Sequence, residues 1–142
     1  MNKPEVFVVS AVRTAIGTFG GTLKDTPPAQ LATLVTQEAL SRANCDPQSV
    51  NHVVFGHVIP TTPKDAYISR VAALQAGIPK EAPAFTVNRL CGSGLQAIVS
   101  AAQGLLLDDS RVAIAGGAEC MSQAGYLVPS ARWGARMGDV KM

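Results

Sequence analysis

Short, β-branched apolar runs alternate along this chain with longer segments whose apolar residues recur on helical spacing, and few folds accommodate such an order. The run Glu5–Ser10 (EVFVVS) reads as a strand that passes into a glycine-containing loop, Ala15–Gly21. Thr26-Pro27-Pro28 then offers a capping residue and prolines ahead of Leu31, Leu34, Val35 and Leu40, one helical face that ends near Ala43. Val53–Ile59 (VVFGHVI) is apolar on both alternating sets, as a parallel strand covered on both faces requires. A helix is expected from about Asp65 to Ala76, stopped by Gly77 and Pro79. The order repeats with Ala84–Val87 as strand, a turn containing Cys91-Gly92-Ser93-Gly94, a helix Ser93–Leu107 and Arg111–Gly116 as strand. Four strands separated by three helices predict a mostly parallel α/β sheet with right-handed crossovers and helices over its faces. Beyond Gly117 no period is sustained as far as Met142.

Composition narrows the partners. The 142 residues suit one compact domain, yet only 15% are charged, against about 25% in typical soluble domains, so part of the surface is expected to face protein. No run approaches the ~18 apolar residues of a membrane span, and the N-terminus lacks the tripartite pattern of a secretory signal. A net charge of +2 without a basic stripe disfavours nucleic acid. Three cysteines, at 45, 91 and 120, fit neither a disulfide framework nor a zinc pattern, which points to a reduced, cytoplasmic setting. His52 and His57 stand in an apolar run with no nearby ligand partner, and no metal is expected.

Cys91 is the residue with chemistry. It precedes a helix whose unpaired N–H groups and positive dipole end favour an anion, and the thiolate is the nucleophilic form of cysteine. Gly92 and Gly94 clear side chains from around Ser93, so that a substrate can approach the sulfur and the Cys91 N–H can face a developing oxyanion. The competing reading is a small core cysteine at a bend that the glycines merely permit. The helix itself carries Leu95, Ile98, Val99, Ala102 and Leu106 on one face and Ala97, Ala101, Gly104 and Leu105 on the other, the pattern of a buried helix.

The run Asn88-Arg89-Leu90-Cys91-Gly92-Ser93-Gly94-Leu95-Gln96-Ala97 resembles the acyl-enzyme signature of the thiolases. Three stretches agree in order: Arg13-Thr14-Ala15-Ile16-Gly17-Thr18-Phe19, Phe55-Gly56-His57-Val58, and Gly116-Gly117-Ala118-Glu119 followed by Met121-Ser122. Within that family the chain is most similar to β-ketothiolases, or acetyl-CoA acetyltransferases. The resemblance implies a thiolase-like fold, with residues 1–118 as the N-terminal βαβαβαβ half and 119–142 as the start of a loop domain. It also implies acyl-CoA and acetyl-CoA as substrates, no separate cofactor, and a homo-oligomer, dimer or tetramer. Cys91 would be acylated by an acyl-CoA, and the enolate of acetyl-CoA would attack that thioester to give a 3-ketoacyl-CoA, or thiolysis in reverse.

Several features depart from the family pattern. Its histidine, second cysteine and asparagine lie in motifs of the form Gly-His-Pro, Cys-x-Gly and Asn-Glu-Ala, none of which occurs here, so this chain alone is expected not to turn over. His52 and His57 match no catalytic position and are expected to be structural, His57 with partners within the sheet or at its end. Cys120 stands where the family usually has serine and is expected to be inert, as is Cys45 in a turn. Lys64–Arg70 replaces a Gly-Gln-Asn-Pro loop common in acetoacetyl-CoA thiolases; Tyr67 and Ile68 are either helix core or contacts to a partner's acyl pocket. Arg132, Trp133, Arg136 and Met137 are expected at a protein interface. Alternatives within the superfamily are a ketoacyl-ACP synthase or a hydroxymethylglutaryl-CoA synthase type; outside enzymes, the alternative is a non-catalytic lipid-carrier or assembly subunit.

Overall fold

A computed structural model describes residues 5–129 and 131–134. Its centre is a strand, β1 (His52–Gly56), in which Val53, Val54 and Phe55 are almost completely buried. A strand apolar on both sets of alternating residues must be covered on both faces, and β1 accordingly lies between β2 (Ala84–Val87) and β3 (Ala113–Gly117). Both pairings are parallel, with Val53 opposite Ala84 on one side and Ile114 on the other.

The order β2-β1-β3 means that the chain crosses the sheet first in one direction and then in the other. Right-handed crossovers of opposite direction put their helices on opposite faces. Packing agrees. Val53 and Phe55 belong to one cluster with Ile68, Ala72 and Ala73 of α2 (Ile68–Gln75) and with Ala29, Ala32 and Leu40 of α1 (Pro28–Arg42), whereas Val54 packs with Ala97 and Ala101 of α3 (Ser93–Leu106). The layers are helices, sheet and helix.

Element ends follow local chemistry. Helix α1 opens on Pro27 and Pro28, so Pro27 and not Thr26 takes the capping position, without a side-chain bond. The helix expected from Asp65 begins as a 3-10 turn, Pro63–Tyr67, and becomes α-helical at Ile68. Asp65 organises that turn: one carboxylate oxygen accepts from Thr61 N, Thr61 Oγ1 and Thr62 N at 2.7–3.0 Å. Burial alone would raise its pKa, but those hydrogen bonds together outweigh it and hold Asp65 below the ordinary aspartate value of 3.8. Of the two residues Tyr67 and Ile68, Ile68 is fully buried in the core, whereas Tyr67 is exposed.

Two expectations are corrected. Glu5–Ser10 forms no strand; Phe7, Val8 and Val9 are 73–79% exposed. The segment stands off the outer edge of β3, and residues 6–19, α1, α3 and β3 enclose an open-sided cavity of about 1040 Å³ between them. An apolar β-branched run has the propensity for a strand, but a ladder needs a neighbour within hydrogen-bond distance, and none of the described residues stands beside it. Helix α3 is likewise not buried all round: only Ser93, Ala97 and Ala101 are inside, while Leu95, Ile98, Val99 and Leu106 are exposed. It has one sheet to pack on and nothing among the described residues over its other faces.

Among the described residues after β3, the regular elements are a 3-10 turn, Met121–Gln123, and a short helix, α4 (Ala131–Gly134). Ser122 Oγ accepts from Gly20 N and Gln123 Nε2 donates to Lys24 O, so this loop pins the segment ahead of α1. Trp133 is exposed, and Arg136 and Met137 lie outside the described residues. Among the described residues no helix is long and apolar enough to cross a membrane.

Candidate active site

The turn from β2 into α3 is held by short polar side chains. Asn88 Oδ1 accepts from Leu90 N at 3.0 Å, the local turn that asparagine favours. The buried Ser93 hydroxyl accepts from Arg89 N at 2.8 Å and donates to Leu90 O at 2.6 Å. Together these bonds keep Leu90 at a φ of 50°, a left-handed conformation that costs a side-chain-bearing residue roughly 1–3 kcal/mol and persists only when its surroundings dictate it. The next residue, Cys91, is thereby presented as an exposed thiol, one residue ahead of Gly92, which caps α3.

Gly56 lets the helix start reach the sheet. A Cβ at Gly56 would lie 2.6 Å from Ser93 O and 2.7 Å from Gly94 N, and nearer still to the Ser93 carbonyl carbon. No side chain can yield there, because the obstacles are backbone. At Gly94, by contrast, a Cβ would meet nothing within 4 Å. That glycine opens space and does not relieve a clash.

The open space is a cavity of about 550 Å³ lined by Cys91 with Leu90, Ser93 and Gly94, by Val58 and Ile59 after β1, and by Gly117–Glu119 and Met121 after β3. It sits beyond the carboxyl ends of the parallel strands where the chain direction across the sheet reverses, the usual ligand position in open α/β sheets. The lining is largely apolar; its chemical groups are the Cys91 thiol, the Ser93 hydroxyl, the Glu119 carboxylate and the start of α3.

The remaining sequence candidates are elsewhere. Cys120 is buried, its Sγ against the carbonyl oxygens of Leu23 and Lys24, and Cys45 is half-buried beside Ser49. His57, at the end of β1, places Nδ1 2.7 Å from Ala118 O, as expected of a residue bonded within the sheet end; His52 stacks edge-on against Phe85. Among the described residues no three His, Cys, Asp or Glu side chains gather as a metal site. Sequence reasoning missed Gly56 as a close-approach residue, although a glycine inside an otherwise β-branched strand was the available signal. It also missed Glu119, whose carboxylate accepts from Val58 N and Ile59 N at 3.0 Å each; nothing local in sequence announces a contact across sixty residues.

Comparison with known proteins accounts for this geometry. Residues 6–142 match the thiolase N-terminal domain family. The chain is 67% identical over 135 residues to the beta-ketothiolase BktB of Cupriavidus necator, covering 95% of this chain and 34% of that protein. It is 46% identical over 137 residues to an acetyl-CoA acetyltransferase of Syntrophomonas wolfei, again with 34% of that protein covered. Among solved structures, human mitochondrial 3-ketoacyl-CoA thiolase superposes with a TM-score of 0.88 at 42% identity, over 94% of this chain and 34% of that one. The chain thus spans about a third of the length of these relatives. With the strand order, the cysteine turn and the sequence match in agreement, the chain belongs to the thiolase family.

Proposed function

We propose that this chain is the nucleophile-bearing part of a CoA-dependent acyltransferase, in which Cys91 carries the acyl group. The observation that supports it is the position of the exposed Cys91 thiol, at the start of α3 and at the mouth of an apolar cavity. The thiolate would add to the carbonyl carbon of an acyl-CoA, and the tetrahedral adduct would collapse with rupture of the bond to the CoA sulfur, leaving S-acyl-Cys91 and CoA. The enolate of acetyl-CoA would then attack that thioester, forming the new carbon–carbon bond of a 3-ketoacyl-CoA and releasing the Cys91 thiolate; thiolysis is the reverse. Backbone N–H groups at the start of α3 are suited to the developing oxyanion. The base that activates the thiol and the acid/base for the α-carbon belong, in this family, to motifs this sequence does not contain, so the 142 residues alone would acylate at most once.

Residues 1–118 would form the N-terminal half and 119–142 the start of a loop domain. Both the exposed Val6–Val9 run and the open faces of α3 suit burial against further protein, including a second subunit of a dimer or tetramer. A cytoplasmic location fits the unpaired cysteines.

The protein expressed from its complete reading frame tests the reading. Incubation with acetyl-CoA should add one acetyl group to the peptide containing Cys91, and Cys91→Ala should abolish both this adduct and acetoacetyl-CoA thiolysis. Turnover that survives Cys91→Ala would refute the assignment. Sustained turnover by residues 1–142, lost in Cys91→Ala, would show that the other catalytic groups lie within this chain.

A further inference from the structure

Regular pairing between β1 and β3 ends with the bond from Ala118 N to Gly56 O at 3.2 Å, at the rim of the Cys91 cavity, which Gly117 and Ala118 line. The two segments that continue into the cavity wall, Val58–Ile59 and Ala118–Glu119, are joined instead by side chains. Glu119 extends its carboxylate back across the gap, Oε2 to Val58 N and Oε1 to Ile59 N, each at 3.0 Å. His57 backs this bridge. Its side chain is 1% exposed, and its Nδ1–H donates to Ala118 O at 2.7 Å while lying 3.3 Å from Glu119 Oε1. The His57 backbone N–H meanwhile donates to Val87 O, tying the same point to the end of β2, three residues before the cysteine turn begins to bend at Leu90. Nε2 is buried without a partner among the described residues, so the ring is held through Nδ1 alone.

We propose that Glu119, seated by His57, is a positioning residue that sets the width of the acyl cavity beside Cys91 and thereby selects the acyl group. The inference rests on the acyltransferase reading above. A carboxylate that accepts from two successive backbone N–H groups fixes both the separation and the relative tilt of the two segments it joins, whereas a single contact would leave a hinge. Val58, Ile59, Ala118 and Glu119 all border the cavity, so any change in that separation changes the space open to an acyl chain. Glu119 does not need to touch the reacting atoms to do this.

Glu119→Gln keeps the size of the side chain but turns an NH₂ group toward one of the two N–H donors. His57→Leu removes the bond to Ala118, while His57→Asn returns an amide nitrogen to about the place of Nδ1. In the protein expressed from its complete reading frame, E119Q and H57L should raise KM for acetoacetyl-CoA about tenfold with kcat within about threefold, and H57N should recover most of the loss. The exposed Glu38, paired with Arg42 on α1, serves as control, and E38Q should match the wild type. A purely structural Glu119 would lower thermal stability and kcat, through loss of folded enzyme, and leave KM alone; that result, or a KM equal to wild type in folded E119Q, overturns the proposal. If E119Q fails to fold, equal KM values in H57L and H57N overturn it. Should the wild type show no acyl-CoA turnover, the reading of the preceding section fails. The ratio of Cys91 alkylation rates by iodoacetamide and by the bulkier N-phenylmaleimide then decides the positioning role separately. A ratio unchanged in E119Q refutes it and a shift of about fivefold supports it.

Discussion

Gly56→Ala is the substitution whose effects on stability and on reactivity are most tightly bound together. The added methyl would stand 2.6 Å from Ser93 O and 2.7 Å from Gly94 N, where ordinary contact begins at 3.4 Å. Those atoms and the still nearer Ser93 carbonyl carbon belong to the first turn of α3, so the helix start must withdraw from β1 by about 1 Å, or β1 must give way at a strand buried on both faces. Overpacking of this kind costs typically 1–3 kcal/mol, and the upper end is expected because no rotamer change can absorb it. Cys91 rides on the same turn, and a displacement near 1 Å of a reacting group is worth on the order of 100-fold in rate. Urea unfolding of the protein from its complete reading frame, combined with the rate of Cys91 acylation by acetyl-CoA, measures both effects in one variant. A G56A protein within about 0.5 kcal/mol of wild type that acylates at the wild-type rate would refute the close-approach reasoning.

Three further outcomes follow from the geometry. Asp65 is held below its usual pKa in the folded state, so its contribution is complete above the unfolded value of about 3.8 and is lost as pH falls through the lower folded value. Urea titrations from pH 6 to 2.5 should show this acid-side loss in wild type but not in Asp65→Asn, which should already be weakened by about 1–3 kcal/mol at pH 7. Iodoacetamide at pH 7 should modify Cys91 first, the half-buried Cys45 next and the buried Cys120 last, by peptide mass mapping; early labelling of Cys120 would contradict the packing around Leu23. At Leu90, with its φ of 50°, replacement by Gly should be neutral or stabilising by up to about 1 kcal/mol, while Leu90→Val should cost about 1–3 kcal/mol. Equal melting temperatures for these two variants would mean that the turn relaxes and stores no strain.

Much of the sheet was legible because burial on both faces writes itself into composition. Val53–Phe55 carry no polar residue, and they are the central strand; Ala84–Val87 was expected at the bounds observed, and Arg111–Gly116 differs from β3 by only a few residues. Helix ends were legible where proline or glycine marks them, as at Pro28 and Gly77. Asn88–Gly94 was recognisable as a turn with a cysteine at a helix start because both the turn residues and the glycines are local in sequence. Glu5–Ser10 and the exposed flank of α3 were misread for a common reason: an apolar pattern records what a segment is suited to bury, and not whether a neighbour is there to bury it.

Local patterning determined on its own the alternation of strand and helix, the burial of the most apolar strand on both faces, and the cysteine at the start of α3. These depend on residues within a few positions of one another. Only the tertiary structure decided that Gly56 must lack a side chain, that Glu119 bridges to Val58 and Ile59, and that β3 keeps an open edge beside Val6–Val9. Each of these depends on the distance between segments far apart in the chain, and hydrogen bonding and steric exclusion act over a few ångströms of space whatever the separation in sequence.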